Sequence, residues 1–296
     1  MNKFDLFRYA SGTQNDPRSP DEIWKEISGH PSFVDSRDCG LVDAVQSGWY
    51  LSDSNELFKG FAIRSTDSVL DVGCGAGGAT LFAANRGAHV VFTDVVPEKV
   101  ETLKARVSLT PARSYEGFVS DGIHLPVANA TMTKVICMEV LEHVKDPASF
   151  LTELVRVGQP GALFLLAVPD PEAEKIQIGL APHSYFQHPN HIHIFDRDKF
   201  SSLIKNAGLE IVHRDSFGFF WSFWMLLYWT VAKQAGVDLE GTSYDVVQPP
   251  YPPILNEWAK IWHQIIKMPE SAHMKKALDN LLPKSQVIIA RKPETC

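Results

Sequence analysis

Cysteine is scarce in this chain: four residues in 296, at Cys39, Cys74, Cys137 and Cys296, with no C-x-x-C pair among them. Such scattered thiols exclude a disulfide scaffold and a zinc-ribbon site, and read as reduced cysteines of a cytoplasmic protein. Basic charge is also in short supply. With 28 Lys and Arg against 35 Asp and Glu, the formal charge is -7, which disfavours a nucleic-acid partner, since polyanion binding calls for a basic surface. The opening residues Met1-Asn-Lys-Phe-Asp-Leu-Phe-Arg8 lack the apolar core of a secretory leader, so the expected location is the cytoplasm. No apolar run reaches bilayer-spanning length, and no repeat or low-complexity tract is visible. What remains, 45% hydrophobic and 21% charged, is a globular composition with ample length for a full core.

One stretch organises the rest: Val69-Leu-Asp-Val-Gly-Cys-Gly-Ala-Gly-Gly-Ala-Thr80. Val69, Leu70 and Val72 read as a buried strand. Gly73, Gly75, Gly77 and Gly78 let the backbone turn sharply and leave it bare enough for a ligand to lie against it. Ala79 to Ala84 suit a helix stopped by Gly87. Strand, glycine loop and helix open a doubly wound nucleotide-binding sheet. Further strands are expected at His89–Asp94, at Phe118 running to Asp121-Gly122, at Thr133–Met138, at Ala162–Val168, at Leu209–Arg214 and at Ser285–Arg291, with helices at 97–107, 147–157 and 198–208. Three strands should thus each end in a carboxylate, Asp71, Asp94 and Asp121, at spacings of 23 and 27 residues.

The pattern D-x-G-C-G-x-G resembles the first motif of class I S-adenosylmethionine (SAM) dependent methyltransferases. The resemblance implies a seven-stranded, mostly parallel α/β sheet of Rossmann-like, doubly wound type. It also implies SAM as cofactor, with Asp71, Gly73 and Gly75 on its methionine part, Asp94 on the ribose hydroxyls, and Asp121 and Gly122 at the adenine. The expected organisation is an N-terminal helical cap over 1–60, a core over 61–214 and 285–296, and an aromatic helical lid inserted at 215–284. Within the cap, Ile23, Trp24 and Ile27, and then Leu41, Val42 and Val45, are spaced for helices; Trp49 and Tyr50 read as packing residues or lid aromatics.

Open parallel sheets place ligands at the carboxyl ends of their strands, so Glu139-Val-Leu-Glu142-His143, which follows the fourth strand, should border the transferred methyl. On a helical turn Glu139, Glu142 and His143 share one face. Two uses fit. His143 alone can be the general base, because imidazole is mostly neutral near pH 7. Alternatively Glu139, Glu142, His143 and a later histidine bind Mg2+ or another divalent cation that lowers the acceptor's pKa. Met-Glu-Val-Leu-Glu-His-Val resembles the same segment of ubiquinone-pathway O-methyltransferases. Glu-x-x-Glu-His with a downstream His193-Ile-Phe-Asp196 resembles the metal site of small-RNA 2′-O-methyltransferases, where His193 matches the fourth ligand; the chain lacks that family's RNA-binding extension.

His183, His188 and His191 are expected around the same pocket, which suits a hydroxylated small molecule such as a sugar, sugar acid or phenol. The run Phe217–Trp229 is a lid, additional core or an interfacial anchor, and membrane attachment is the least favoured of these. The expectation is an O-methyltransferase for a small metabolite. Methyl transfer to carbon or nitrogen, or a SAM-binding subunit without catalysis of its own, are the alternatives. Oligomeric state is not legible.

Overall fold

The computed structural model describes residues 34–236 and 249–294. The helix expected around Ile23, Trp24 and Ile27, and Cys296, lie outside them. The described residues divide into two compact units, one of Gly48–Pro169, Ile192–Asp215 and the C-terminal strand, the other of residues 34–47, 170–191, 216–236 and 249–284.

The first unit carries a seven-stranded sheet. Its strands are β4 (Ser68–Val72), β5 (His89–Asp94), β6 (Ser114–Val119), β7 (Met132–Met138), β8 (Gly158–Pro169), β9 (Glu210–Phe217) and β10 (Ser285–Arg291), in the order β6-β5-β4-β7-β8-β10-β9. Three short antiparallel strands precede it: β1 (Trp49–Leu51), β2 (Glu56–Phe58) and β3 (Phe61–Ala62). Pairing is parallel from β6 through β8, and β10 runs antiparallel to β8. This is the Rossmann-like α/β sheet that the glycine loop implied. The chain winds outward in both directions from β4 and β7, which places the switch point of the sheet between them.

Central strands are apolar on both faces because helices cover both. Leu70, Val72, Val135, Cys137, Phe164 and Leu166 sit in one core cluster with the inner face of helix 147–157. That helix begins at Pro147, behind Asp146, whose Oδ1 accepts from the Ala148 and Ser149 N–H groups at 3.1 Å each. It buries Phe150, Leu151, Leu154 and Val157, at about 1.5–3 kcal/mol for each large side chain. Helix 97–107 turns Val100, Leu103 and Val107 inward, the face its spacing predicted.

Three strands differ from expectation, one of them β9, which runs on to Phe217 instead of stopping at Arg214. The third expected strand closes at Val119 instead of running to Asp121, because β6 is the sheet edge: its largely exposed residues carry no apolar alternation to mark its ends. The fifth begins four residues early. Gly158 pairs with Met132 before a register shift, and Gly161, at φ 78°, donates its N–H to Lys292 O, so what reads as a Gly-Pro loop is irregular strand.

The second unit is helical: Ser36–Gln46, Pro171–Gln177, Phe219–Ala235, Pro253–Ile265 and Ser271–Leu281, with a short turn at His183–Phe186. The aromatic run forms the helix Phe219–Ala235, whose Phe220, Trp224, Met225 and Trp229 form this unit's core with Tyr185, Leu255 and Trp262. In this core three buried indole N–H groups find acceptors: Trp224 on Ser36 Oγ, Trp229 on Gln177 Oε1 and Trp262 on Asp43 Oδ1, at 2.9–3.0 Å. Core packing therefore accounts for the run. No helix among the described residues is long and apolar enough to cross a membrane.

Helix 36–46 buries Ser36, Cys39, Gly40 and Asp43 instead of the expected Leu41, Val42 and Val45. The reason is the neighbouring indoles: a Cβ at Gly40 would lie 2.2 Å from Trp221 Nε1, and Asp43 accepts from Trp262. Cys39, Cys74 and Cys137 are free and buried, and burial pushes the Cys39 thiol up to about 12, which leaves it inert at neutral pH.

Candidate cofactor and active site

The glycine loop is held by main-chain bonds to the end of β5. Gly73 and Cys74 both donate to Thr93 O at 2.9 Å, and Gly77 donates to Cys74 O at 2.8 Å. Gly73, Gly75 and Gly77 have φ of 71°, 49° and 82°, a region that side chains disfavour. They differ in what surrounds them. A Cβ on Gly73 would strike Val140 Cγ2, and one on Gly77 would strike Leu103 Cδ1; on Gly75 it would meet only Gly73 O at 4.0 Å. Gly73 and Gly77 are required by packing, whereas Gly75 faces open space where a ligand can approach the bare backbone.

Asp94 sits at the carboxyl end of β5, buried, with Oδ2 accepting the Gly75 N–H at 2.9 Å and Oδ1 accepting the Val96 N–H at 3.0 Å. One carboxylate thus ties the glycine loop to the following turn. The cap of helix 97–107 is Val96, so Asp94 is not its capping residue. Asp71 is buried too, but its Oδ2 turns toward the helix that follows the loop, accepting the Thr80 hydroxyl at 2.6 Å and the Thr80 N–H at 3.1 Å. Burial pushes the Asp71 carboxyl up to about 6, against the pull of the two Thr80 hydrogen bonds, with the charge of Asp94 adding to the rise. Asp121 is exposed on the loop after β6, its Oδ1 accepting the Ile123 N–H at 3.0 Å. Gly122, at φ 76°, abuts Phe150: a Cβ there would lie 2.4 Å from the ring. Core packing therefore forbids a side chain at Gly122 whether or not a ligand lies beside it.

The segment after β7 departs from the helical turn that the spacing suggested. Glu139 adopts φ 56°, and only Leu141–His143 form a single 3-10 turn, so Glu139, Glu142 and His143 do not share one helical face. The Glu139 N–H continues the ladder onto Ala167 O, and its Oε1 accepts the Ser285 hydroxyl at 2.8 Å. Glu142 is wholly buried and His143 partly exposed, with Nε2 3.7 Å from Glu142 Oε1. The Glu142 carbonyl accepts the Ile192 and His193 N–H groups, which brings the later histidine segment to this turn. His193 Nε2 lies 2.9 Å from Val144 O; a carbonyl only accepts, so Nε2 carries the proton and Nδ1 is the nitrogen left with a lone pair. Of the four metal-ligand candidates, Glu142 and His143 are adjacent, Glu139 is bonded to Ser285, and His193 directs one nitrogen to the backbone.

His183, His188 and His191 belong to the helical unit. There His191 Nδ1 meets Glu174 Oε2 at 2.9 Å and its ring packs 4.5 Å from Tyr185.

Two residues at the site are not legible in the sequence, and a third, Tyr50, is legible there only as a packing or lid aromatic. Thr80 is an ordinary helix residue until the fold sets it against Asp71. Val140 closes over Gly73 from the far side of the switch point. Tyr50 has φ 53° and an edge-on contact with Phe82 at 5.8 Å, and its hydroxyl is pushed up by burial and then by the charge of Asp71. A positive φ at a bulky residue marks a special backbone position, but it cannot be read before the backbone is known. Trp49 packs on Phe58 at 4.7 Å as an ordinary core residue.

These features fit SAM. An open backbone cradle at Gly75, a buried carboxylate at the end of β5 and a second acid beyond β6 all lie along the carboxyl edge of one parallel sheet.

Comparison with known proteins agrees. Residues 50–214 match the family model described as a methyltransferase domain. The mitochondrial ubiquinone biosynthesis O-methyltransferase of Schizosaccharomyces pombe is 32% identical over 51% of this chain and 57% of its own length. Norajmaline N-methyltransferase of Rauvolfia serpentina is 34% identical over 49% of this chain and 52% of its own. The chain thus spans about half the length of the curated relatives it matches. Among solved structures, a methyltransferase from Bacillus halodurans aligns at a TM-score of 0.50 with 19% identity, covering 78% of this chain and 95% of its own, a likeness of fold. On the match across more than half its length, the glycine loop and the topology of the sheet, the chain belongs to the methyltransferase-domain family, in the class I SAM-dependent group.

Proposed function

We propose that the chain methylates a hydroxyl of a small molecule, with SAM bound along Gly73, Gly75, Asp94, Asp121 and Gly122, Asp71 beside the methionine ammonium, and His143 as general base. SAM when bound supplies a methyl already activated by its sulfonium centre. The chain's own residues then have to fix the acceptor and take its proton. The position of His143 carries the reading: it is partly exposed one turn beyond β7, on the carboxyl side of the switch point. Its Nε2 lies 3.7 Å from Glu142 Oε1, a buried side chain beside which the ring is set. His143→Ala should lower kcat by about 10²- to 10⁴-fold while leaving the SAM dissociation constant unchanged in a calorimetric titration. Retention of nearly full turnover would transfer the proposal to an acceptor that needs no base. The N-methyltransferase among the relatives favours nitrogen as that second reading.

A divalent cation between Glu142 and His143 is the finer version of this proposal. The engagement of Glu139 with Ser285 and of His193 Nε2 with Val144 O favours the simple base over four-ligand coordination. Exhaustive EDTA treatment should therefore leave turnover intact. Loss of activity that Mg2+ or Mn2+ restores would reverse that preference.

The Asp71 pKa supplies a test of its own. A cation held beside Asp71 favours the carboxylate, so below about pH 6 binding has to expel a proton. SAM affinity should rise as the pH is raised from 5 through 6 and level off above 7. Proton release at pH 6 would appear as a binding enthalpy that depends on the buffer's ionisation heat. A dissociation constant flat from pH 5 to 7.5 would remove Asp71 from the ligand.

A further inference from the structure

The opposite, amino-terminal edge of the same sheet carries a groove of about 540 Å³. Asn55, Arg64, Ser65, Asn85, Arg86 and Pro111 line it. These residues come from the loop between β1 and β2, the approach to β4, the end of helix 78–84 and the approach to β6. β4 separates the groove from the glycine loop by five residues, about 17 Å of extended chain.

Its chemistry is cationic in a protein of net negative charge. Arg86 stacks on Phe82, its guanidinium carbon 3.2 Å from the ring centroid, and Nη1 donates to Phe82 O at 3.0 Å. Its Nε is buried with no hydrogen-bond partner, and burial, with no carboxylate to offset it, lowers its proton affinity. Among the described residues neither Arg86 nor Arg64 forms an ion pair. Arg113 borders the groove, its guanidinium donating to Ser65 O and Asp67 O at 2.9 and 3.2 Å. Asp67, just beyond Arg64 in the chain, is engaged by other donors: Oδ2 accepts the Arg64 N–H at 2.7 Å and Oδ1 the Thr133 hydroxyl at 2.8 Å. Burying part of a guanidinium without a counter-charge costs free energy, and an anionic ligand in the groove would recover it.

We propose that this groove is a second ligand site, remote from methyl transfer, which binds a phosphate-type oxyanion carried by a small molecule. Planar guanidiniums donate in pairs to phosphate oxygens, and such charge-assisted bonds are strong. Side-chain amides of Asn55 and Asn85 and the Ser65 hydroxyl add neutral donors around the rim. Two unpaired guanidiniums suit two linked phosphates, and the -7 charge favours a small ligand over a nucleic-acid strand.

Inorganic pyrophosphate is the probe, titrated calorimetrically into the 296-residue chain at constant ionic strength. Saturable binding is expected, with affinity at least tenfold weaker in Arg64→Gln and in Arg86→Gln, and SAM affinity unchanged in both. Arg64 is exposed, so its variant keeps the test valid if Arg86→Gln does not fold. Sulfate-level or non-saturable heats in the wild type, or undiminished binding in a folded Arg64→Gln, would overturn the proposal. So would tighter binding of single-stranded RNA than of pyrophosphate at physiological salt, which would assign the groove to nucleic acid. Failure here leaves the methyltransferase reading untouched, since SAM binding is measured separately in the same variants.

Discussion

Replacing Asp94 by alanine is expected to weaken SAM binding by about two orders of magnitude or more, the largest loss expected from any single side chain of the cofactor site. The carboxylate has two tasks. It accepts the Gly75 and Val96 N–H groups, and so sets the shape of the glycine loop at Gly75, which faces open space. In the proposed complex its remaining lone pairs meet the ribose hydroxyls. Hydrogen bonds to a charged group are worth about 1.5–3 kcal/mol each, and each 1.4 kcal/mol is about tenfold in affinity, so losing two of them accounts for the size of the effect. Asp94→Asn keeps one acceptor oxygen for the loop and should fall between wild type and alanine. Calorimetric titration with SAM and with its demethylated product measures both variants. A folded Asp94→Ala protein that binds within threefold of wild type would show that the ligand lies elsewhere.

The second large effect concerns stability and lies in the helical unit. Lys275 is almost completely buried, with Nζ 3.0 Å from Asp43 Oδ1, 2.7 Å from Asp279 Oδ2 and 2.7 Å from Ser47 Oγ. One ammonium therefore serves two buried carboxylates. Asp279 in turn accepts the Gly218 and Phe219 N–H groups through Oδ1, at 3.0 Å each, and so anchors the start of the aromatic helix, while Asp43 holds the Trp262 indole. Burial drives the Asp43 carboxyl up to about 6 even with Lys275 pulling it down. Lys275→Met strands both acids without a cation. Removing one partner from such a network costs about 3–5 kcal/mol, and urea unfolding followed by tryptophan fluorescence should show it. Asp43→Asn added to Lys275→Met removes one of the stranded charges and keeps an acceptor for Trp262, so the double variant should recover part of the loss. A Lys275→Met protein within 1 kcal/mol of wild type would mean that the acids are neutral and the cation dispensable.

Much of the sheet was legible because parallel strands covered on both faces leave continuous apolar runs. His89–Asp94 and Ala162–Val168 carry them, and helix 97–107 shows its spacing without ambiguity. Legibility failed where that signal is absent. The edge strand β6 is mostly exposed, so its end was misplaced by two residues, and Asp121 stands on a loop beyond it. The inward face of helix 36–46 was misread because it is small and acidic, a pattern that makes sense only once indoles pack on Gly40 and bond to Asp43. The segment 139–143 kept the spacing of a helical turn, yet Glu139 took a left-handed conformation and bonded to Ser285, which is 146 residues away.

By itself the sequence determined the parallel α/β sheet, the position of the glycine loop and the acidic residue that ends β5, because each depends on the nearest few side chains and on the backbone freedom of glycine. Only the tertiary structure decided which loop glycine is open to a ligand, where the Asp71 carboxylate points and which arginines lack a counter-charge. Those properties depend on what distant segments bring alongside, and no local pattern of residues encodes a neighbour a hundred positions away.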